Sequence, residues 1–329
     1  IGIAQKGQTC FWELPLGNYG GLMGLDYQVY NFEIHFDASV RFFIFPPFIF
    51  RSILGKELKD INCLFKTRDC SECELNQHCI YSRIFESPLE KSNKTLPGRN
   101  RGAHPFILFG NDPKATPVKE YNLGVILLGP AIDFFPYVFY AFRQGGESGI
   151  LQARIPFRIV SVTAGGKELI RDDSRVRTNI PKQGWEINHN RDNNLKANRD
   201  RVIRFISPTR IKHNGRYITK PNYIHVMNAI SWRMKQLLSL YGKPEEFESH
   251  YSEPKEWQPR LHWHDLPRYS SRQKTRMKLG GFMGKIFFSG SLLPFEEALL
   301  SAAELFHLGK NTSFGLGRIE VNDAGEGNE

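Results

Sequence analysis

Between a predicted helix and a predicted strand near its end, the chain reads Gly309-Lys310-Asn311-Thr312-Ser313-Phe314-Gly315-Leu316-Gly317-Arg318. Glycines let a backbone approach a ligand closely, and Lys310, Thr312, Ser313 and Arg318 can all donate to phosphate oxygens. The same spacing also suits a plain glycine turn leading into a strand. A Walker loop runs strand, glycines, lysine, helix; the order here is the reverse, so nucleotide hydrolysis is not implied. His307 stands just ahead of the loop. An imidazole changes protonation near neutral pH and can act as base or acid in phosphodiester chemistry; at a helix end it equally serves as a cation against the dipole. Lys310 is the cation expected over a reacting phosphate.

Upstream lies a basic segment in which Arg260, Arg268, Arg272, Lys274, Arg276 and Lys278 are interleaved with Trp257, Trp263 and Tyr269, and Lys285 follows it. Cations at such spacing track a phosphate backbone while the rings stack on bases, although a charge run is also what a solvated face looks like. Tyr269 reads as an acid or orienting group, or as a buried aromatic whose hydroxyl finds a partner. His262 and His264 flank Trp263, and His35 sits on the polar side of an alternating strand, where it either meets a ligand or is simply solvated. With 44 Lys and Arg against 34 Asp and Glu, a formal charge of +10 and a pI near 9.3, the whole chain is biased toward polyanions.

Four of the five cysteines fall in one short stretch: Cys63, Cys70, Cys73 and Cys79. Four thiolates with a two-residue central gap can close a tetrahedral shell, so structural zinc is the expectation, with an iron-sulfur cluster or metal-free thiols as the alternatives. All ligands would come from protein, which leaves no open position for catalysis. An odd cysteine count clustered this way argues against a secreted disulfide framework and for a reducing, cytoplasmic setting. The most apolar window, residues 121–142, is interrupted by Pro130, Asp133 and Pro136 and is not expected to span a membrane.

These residues need elements to carry them. Phe32, Ile34, Phe36, Ala38, Val40 and Phe42 alternate with polar residues, which predicts a half-buried strand, and the helical spacing of Ile49, Ile53, Leu54 and Leu58 follows Pro46 and Pro47. Strands near 105–110 and 123–128, a helix over 133–143 and a strand over 153–162 complete a βαββαβ order, the split βαβ arrangement of ferredoxin-like domains. From Val202 the plan repeats: strand, a helix over 224–241, a strand over 282–289, a helix from Pro294 and a last strand ending at Val321. The predicted fold is therefore α+β, with two tandem ferredoxin-like (RRM-like) domains. An uncertain extension covers residues 1–27, the first domain 28–165 with a cysteine insert over 63–79, a linker or extended hairpin 166–200, the second domain 201–321, and a disordered tail 322–329.

One resemblance is specific. Gly280-Gly281-Phe282-Met283-Gly284-Lys285, Gly290, Leu293-Pro294-Phe295 and His307-Leu308-Gly309-Lys310, followed by Thr312 to Arg318, are similar to the C-terminal signature of the CRISPR pre-crRNA-processing endoribonuclease family within the RAMP superfamily. Trp263, Arg268-Tyr269-Ser270 and Arg272-Gln273 resemble the segment ahead of its Gly-Gly strand, and Phe205, Ser207-Pro208-Thr209-Arg210 and Trp232-Arg233 the start of its second domain. The likeness is good from about residue 200 to 321 and looser from 28 to 160. It implies a glycine-rich loop that touches RNA, and metal-independent cleavage of CRISPR repeat RNA by 2′-hydroxyl attack, leaving a 5′-hydroxyl and a cyclic phosphate. Members of that family often place a catalytic histidine just after the first strand, whereas this sequence has none between Phe43 and Lys59. The expected catalytic set is thus His307, Lys310, Tyr269 and His35, with Arg268, Arg272, Lys274, Arg276, Lys278, Lys285, Thr312, Ser313, Gly315, Gly317 and Arg318 on the RNA. The alternative is a non-catalytic RAMP-type subunit that holds RNA in an effector complex. Partners implied beyond repeat RNA are other CRISPR-associated subunits, or a fused reverse transcriptase and integrase of which this chain is one module.

Overall fold

The computed structural model describes residues 22–324 other than 67–68, 90–95, 97, 115, 173–181, 189–198, 244–250, 253, 255 and 271–274. The first domain is built on β1 (Leu22–Val40), α1 (Pro46–Asn62), β2 (Phe106–Phe109), β3 (Val118–Leu128), α2 (Phe135–Ser148) and β4 (Phe157–Ala164). Its strands stand in the order β2-β3-β1-β4, all antiparallel, with β5 (Lys167–Arg171) added beyond β4 and β6 (Gln183–Asn188) paired to the first residues of β1. The alternating phenylalanines of β1 do what their period requires: Phe32, Ile34 and Phe36 are buried against α1 and α2.

The second domain repeats the arrangement with β7 (Arg199–Thr209), a short hairpin β8 (Lys212–His213) and β9 (Arg216–Tyr217), α3 (Tyr223–Tyr241), β10 (Glu256–Ser270), β11 (Thr275–Gly290), α4 (Pro294–Phe306) and β12 (Ile319–Asp323). Its sheet runs β10-β11-β7-β12, the same permutation as the first. Two tandem ferredoxin-like domains are what the sequence pattern led one to expect. Asn222 caps α3 by accepting from the His225 N–H at 2.9 Å, and Pro294 opens α4, so both helices begin where the sequence signals them.

Several elements differ from the sequence reading: within 166–200, read as a linker or extended hairpin, β5 and β6 do not pair with each other and both join the first sheet. β1 starts at Leu22, because its first six residues find a partner strand in β6, a pairing that no local pattern reveals. Residues 256–270, read only as a basic segment, form β10, whose Trp257, Pro259, Leu261 and Trp263 pair with Phe288, Ile286, Gly284 and Phe282 of β11. No helix among the described residues is long and apolar enough to cross a membrane.

A third, smaller core joins the domains. Phe45 and Phe48 at the start of α1 pack with Leu266 and Leu279 of the β10/β11 hairpin and with Phe314 and Leu316 of the glycine loop. The loop is therefore an interdomain wedge. Gly315, at φ +81°, would put a Cβ 2.8 Å from the Leu108 carbonyl oxygen of β2, and Gly317, at φ +77°, one at 1.9 Å from that of Leu308; only glycine fits either place.

Candidate nucleic-acid interface

Where the wedge enters, the two domains leave two adjacent chambers. The first, about 930 Å³, is lined by Arg51, Lys56 and Lys59 of α1, by Tyr81, Arg101 and His104 from the connection to β2, and by Arg154, Arg268 and Phe314. The second, about 510 Å³, lies toward α3 and is lined by Arg99, Arg210, Lys212, Trp232, Arg233 and Lys310, among others. His104 and Phe314 belong to both walls.

The geometry centres on Arg51, which α1 directs at the wedge. Its Nε donates to Ser313 Oγ at 3.3 Å, and its Nη2 lies 3.1 Å from His104 Nε2. The guanidinium carbon lies 3.9 Å from the Phe314 ring centroid, with that of Arg268 4.2 Å from the same ring, so two cations share one aromatic. Burial, and Arg268 nearby, pull the Arg51 pKa down to about 9. A guanidinium cannot accept, so His104 Nε2 must be the acceptor and the ring proton sits on Nδ1, 3.3 Å from Ser87 Oγ. Burial and the charges of Arg51, Arg233 and Arg101 push the His104 pKa down to about 3, which keeps the ring neutral and basic in form at working pH. Lys310 is half-buried, and its pKa is lowered by burial and by Arg99, Lys212 and Arg233.

The expected site residues separate into groups. Lys310 and Arg268 line the cleft. Lys278 and Lys285 are exposed on β11, Lys278 lying 3.6 Å from Asp265. Arg318 is half-buried, its guanidinium over Phe109 and its Nη2 3.9 Å from Glu320. Thr312 and Ser313 line the second chamber but are almost fully buried, and Gly315 and Gly317 are packed against backbone. These two glycines permit close packing within the protein, which corrects the expectation that their backbone opens onto a ligand.

His307 is the clearest correction. It is 2% exposed, its Nδ1 faces the Leu316 carbonyl at 3.2 Å, and burial drives its pKa down to about 3. The ring fastens the wedge from inside and faces no groove. His35 lies beside Glu33 at 3.3 Å and Glu120 at 3.6 Å on the first sheet and lines neither chamber. Arg272 and Lys274 lie outside the described residues, and for Tyr269 and Arg276 only their backbone pairing with each other is described.

The cysteines are corrected as well. Cys63, Cys73 and Cys79 line one small apolar cavity of about 250 Å³ with His78, and all four thiols are free. No group of three or more His, Cys, Asp or Glu side chains among the described residues is arranged to hold a metal ion, so structural zinc is not supported.

Arg51 and His104 were missed in the sequence. Arg51 is one of three cations of α1, and His104 stands at the end of a polar stretch; neither has a local signature, because they meet only in the folded chain.

The fold and the site thus define a protein of two tandem ferredoxin-like domains joined by a glycine-rich wedge over a basic cleft. A family model described as an N-terminal domain matches residues 25–183, and one described as CRISPR-associated endoribonuclease Cas6 matches residues 203–319. The match over residues 203–319 supports a place for the chain in a CRISPR pre-crRNA-processing family. Among solved structures it is similar to a Cas6 (TTHB231) product complex, with a TM-score of 0.51 at 14% identity over 90% of this chain and 99% of that one. The structure titled Thermus thermophilus Cas6 (TTHB231) gives 0.48 at 14% over 91% and 99%. A partial Cas6-RT-Cas1–Cas2 complex gives 0.48 at 12%, covering 93% of this chain and 47% of that one. At such identities the likeness shows the shared fold. No curated protein matches the chain.

Proposed function

We propose that the chain binds CRISPR repeat RNA in the interdomain cleft and cuts it there by attack of a 2′-hydroxyl on the adjacent phosphate. The observation that carries this reading is the Arg51 and His104 pair on the wall between two basic chambers, placed by a fold whose family is endoribonucleolytic. In the reaction the 2′-oxygen forms a bond to phosphorus, the bond from phosphorus to the 5′-oxygen breaks, one proton leaves the 2′-oxygen and one reaches the 5′-oxygen. Every step is within the reach of protein side chains, with no metal required.

His104 is the base in this scheme. An arriving phosphate attracts Arg51, which transfers its Nη2 hydrogen bond to a phosphate oxygen and releases the Nε2 lone pair. The phosphate also offsets the cationic field that lowers the His104 pKa, so the ring gains basicity when substrate is present. Lys310, an ammonium already pulled below its ordinary pKa, supplies charge to the transition state or a proton to the leaving oxygen. Lys278 and Lys285 of the β10/β11 hairpin extend the track beyond the cleft.

One feature favours holding without cutting: Arg51 already occupies the base's lone pair, and if RNA does not displace it the cleft is a binding groove. Incubating the protein with repeat RNA in excess chelator decides between the two. Cutting predicts a single break with a 2′,3′-cyclic phosphate end and a 5′-hydroxyl; intact RNA retained in complex would assign the chain to the non-catalytic class. The likeness to a Cas6-RT-Cas1–Cas2 assembly motivates a reverse transcriptase and integrase as partners.

A further inference from the structure

The second chamber holds an unpaid electrostatic debt. Arg233 of α3 is 7% exposed, yet its Nε and Nη2 have no hydrogen-bond partner among the described residues, and Nε of Arg210, 9% exposed, is in the same state. Arg99, Lys212 and Lys310 line the same space, and no carboxylate of the described residues does. A buried cation without an anion is costly, and a cluster of them is costlier. Among the described residues no acid faces this cluster, so structural ion pairing there does not explain it; an anion that arrives from outside does.

The neighbouring groups specify the anion. Trp232, 45% exposed, stands at the rim of the chamber beside these cations, where an indole can stack on a base. Asn228 and Gln236, on the same face of α3, add amide donors and acceptors to the lining. Arginines for a phosphate, amides for a base edge and an indole for its face are the set with which proteins hold one unpaired nucleotide. A space of about 510 Å³ has room for it.

We propose that this chamber is a subsite for a single unstacked ribonucleotide of an RNA strand, its internal phosphodiester against Arg233 and Arg210 and its base on Trp232. The inference rests on the reading that the cleft binds RNA, but not on the chain cutting it. Because the chamber shares the His104 wall with the first, a nucleotide held here fixes which phosphate reaches Arg51.

The test is calorimetric titration of the full chain with a short single-stranded RNA bearing hydroxyls at both ends, and separately with AMP. The short RNA is expected to bind, Arg233→Gln to weaken it at least tenfold with Arg233→Lys recovering part of the loss, and Trp232→Ala to weaken it severalfold. If Arg233→Gln does not fold, Trp232→Ala still decides, since Trp232 lies at the surface. Binding unchanged in the variants, or binding of AMP with none of the short RNA, would overturn the assignment. A wild-type protein that binds the short RNA through Arg233 but cuts no repeat would leave this subsite standing and remove the nuclease.

Discussion

Arg51 does three things at once: it donates to Ser313, occupies His104 and lies over Phe314. A lysine has the charge but neither the fork nor the flat face. Arg51→Lys should therefore lower single-turnover cleavage at least tenfold while affinity for repeat RNA changes by less; equal losses in both would mean that Arg51 serves binding only. His307 makes a prediction about stability. Its pKa is about 3 in the folded protein, against roughly 6.5 in an unfolded chain. The unfolded state takes up the proton first as pH falls, so the contribution is whole above pH ~6.5 and is lost progressively toward pH ~3. At pH 5 the loss is of order 2 kcal/mol for this residue. Denaturant titrations at pH 7.5 and 5 should show it, and His307→Gln, whose amide can still donate to Leu316, should reduce the difference by this residue's share and leave that of His104, whose pKa is also about 3. At this scale the sequence was half legible. Residue type identified Lys310 and Arg268 as cations for a phosphate, but the exposure of a histidine depends on tertiary packing, and His307 and His104 could not be ranked from spacing.

At the scale of elements the sequence was clearer. Period-two and period-3.6 patterns, with Pro294 as a start signal, are enough to recover the βαββαβ order of the first domain and all of the second except β10. β10 escaped because its cations and three aromatics break simple alternation of polarity; its register is set by β11, a partner met only through the hairpin. The glycine loop was located but its role was inverted. Gly315→Ala places a methyl 2.8 Å from a β2 carbonyl in a left-handed conformation, and should cost about 1 to 3 kcal/mol. Thermal unfolding reads that loss directly. The loop-as-ligand account would instead predict normal stability and weaker RNA binding.

For the molecule as a whole, a formal charge of +10 and a basic cleft predict affinity dominated by phosphate neutralisation. The logarithm of the association constant for repeat RNA should fall linearly with the logarithm of salt, and charge removal at Lys285, an exposed cation of β11, should shallow the slope by about one without altering which repeat is chosen. A slope unmoved by that change would place the RNA elsewhere. The charge was plain in the sequence. The cleft was not, because it exists only between two domains that each fold on their own pattern, and the small core of Phe45, Phe48, Leu266, Leu279, Phe314 and Leu316 that joins them draws on segments far apart in the chain.

The most direct test of the account is the single-turnover rate at which His104→Ala cuts repeat RNA in chelator, with the complex saturated and the fold checked by thermal unfolding. A base at this position predicts a fall of about a hundredfold or more with RNA still bound. Cleavage by His104→Ala at the wild-type rate would contradict it.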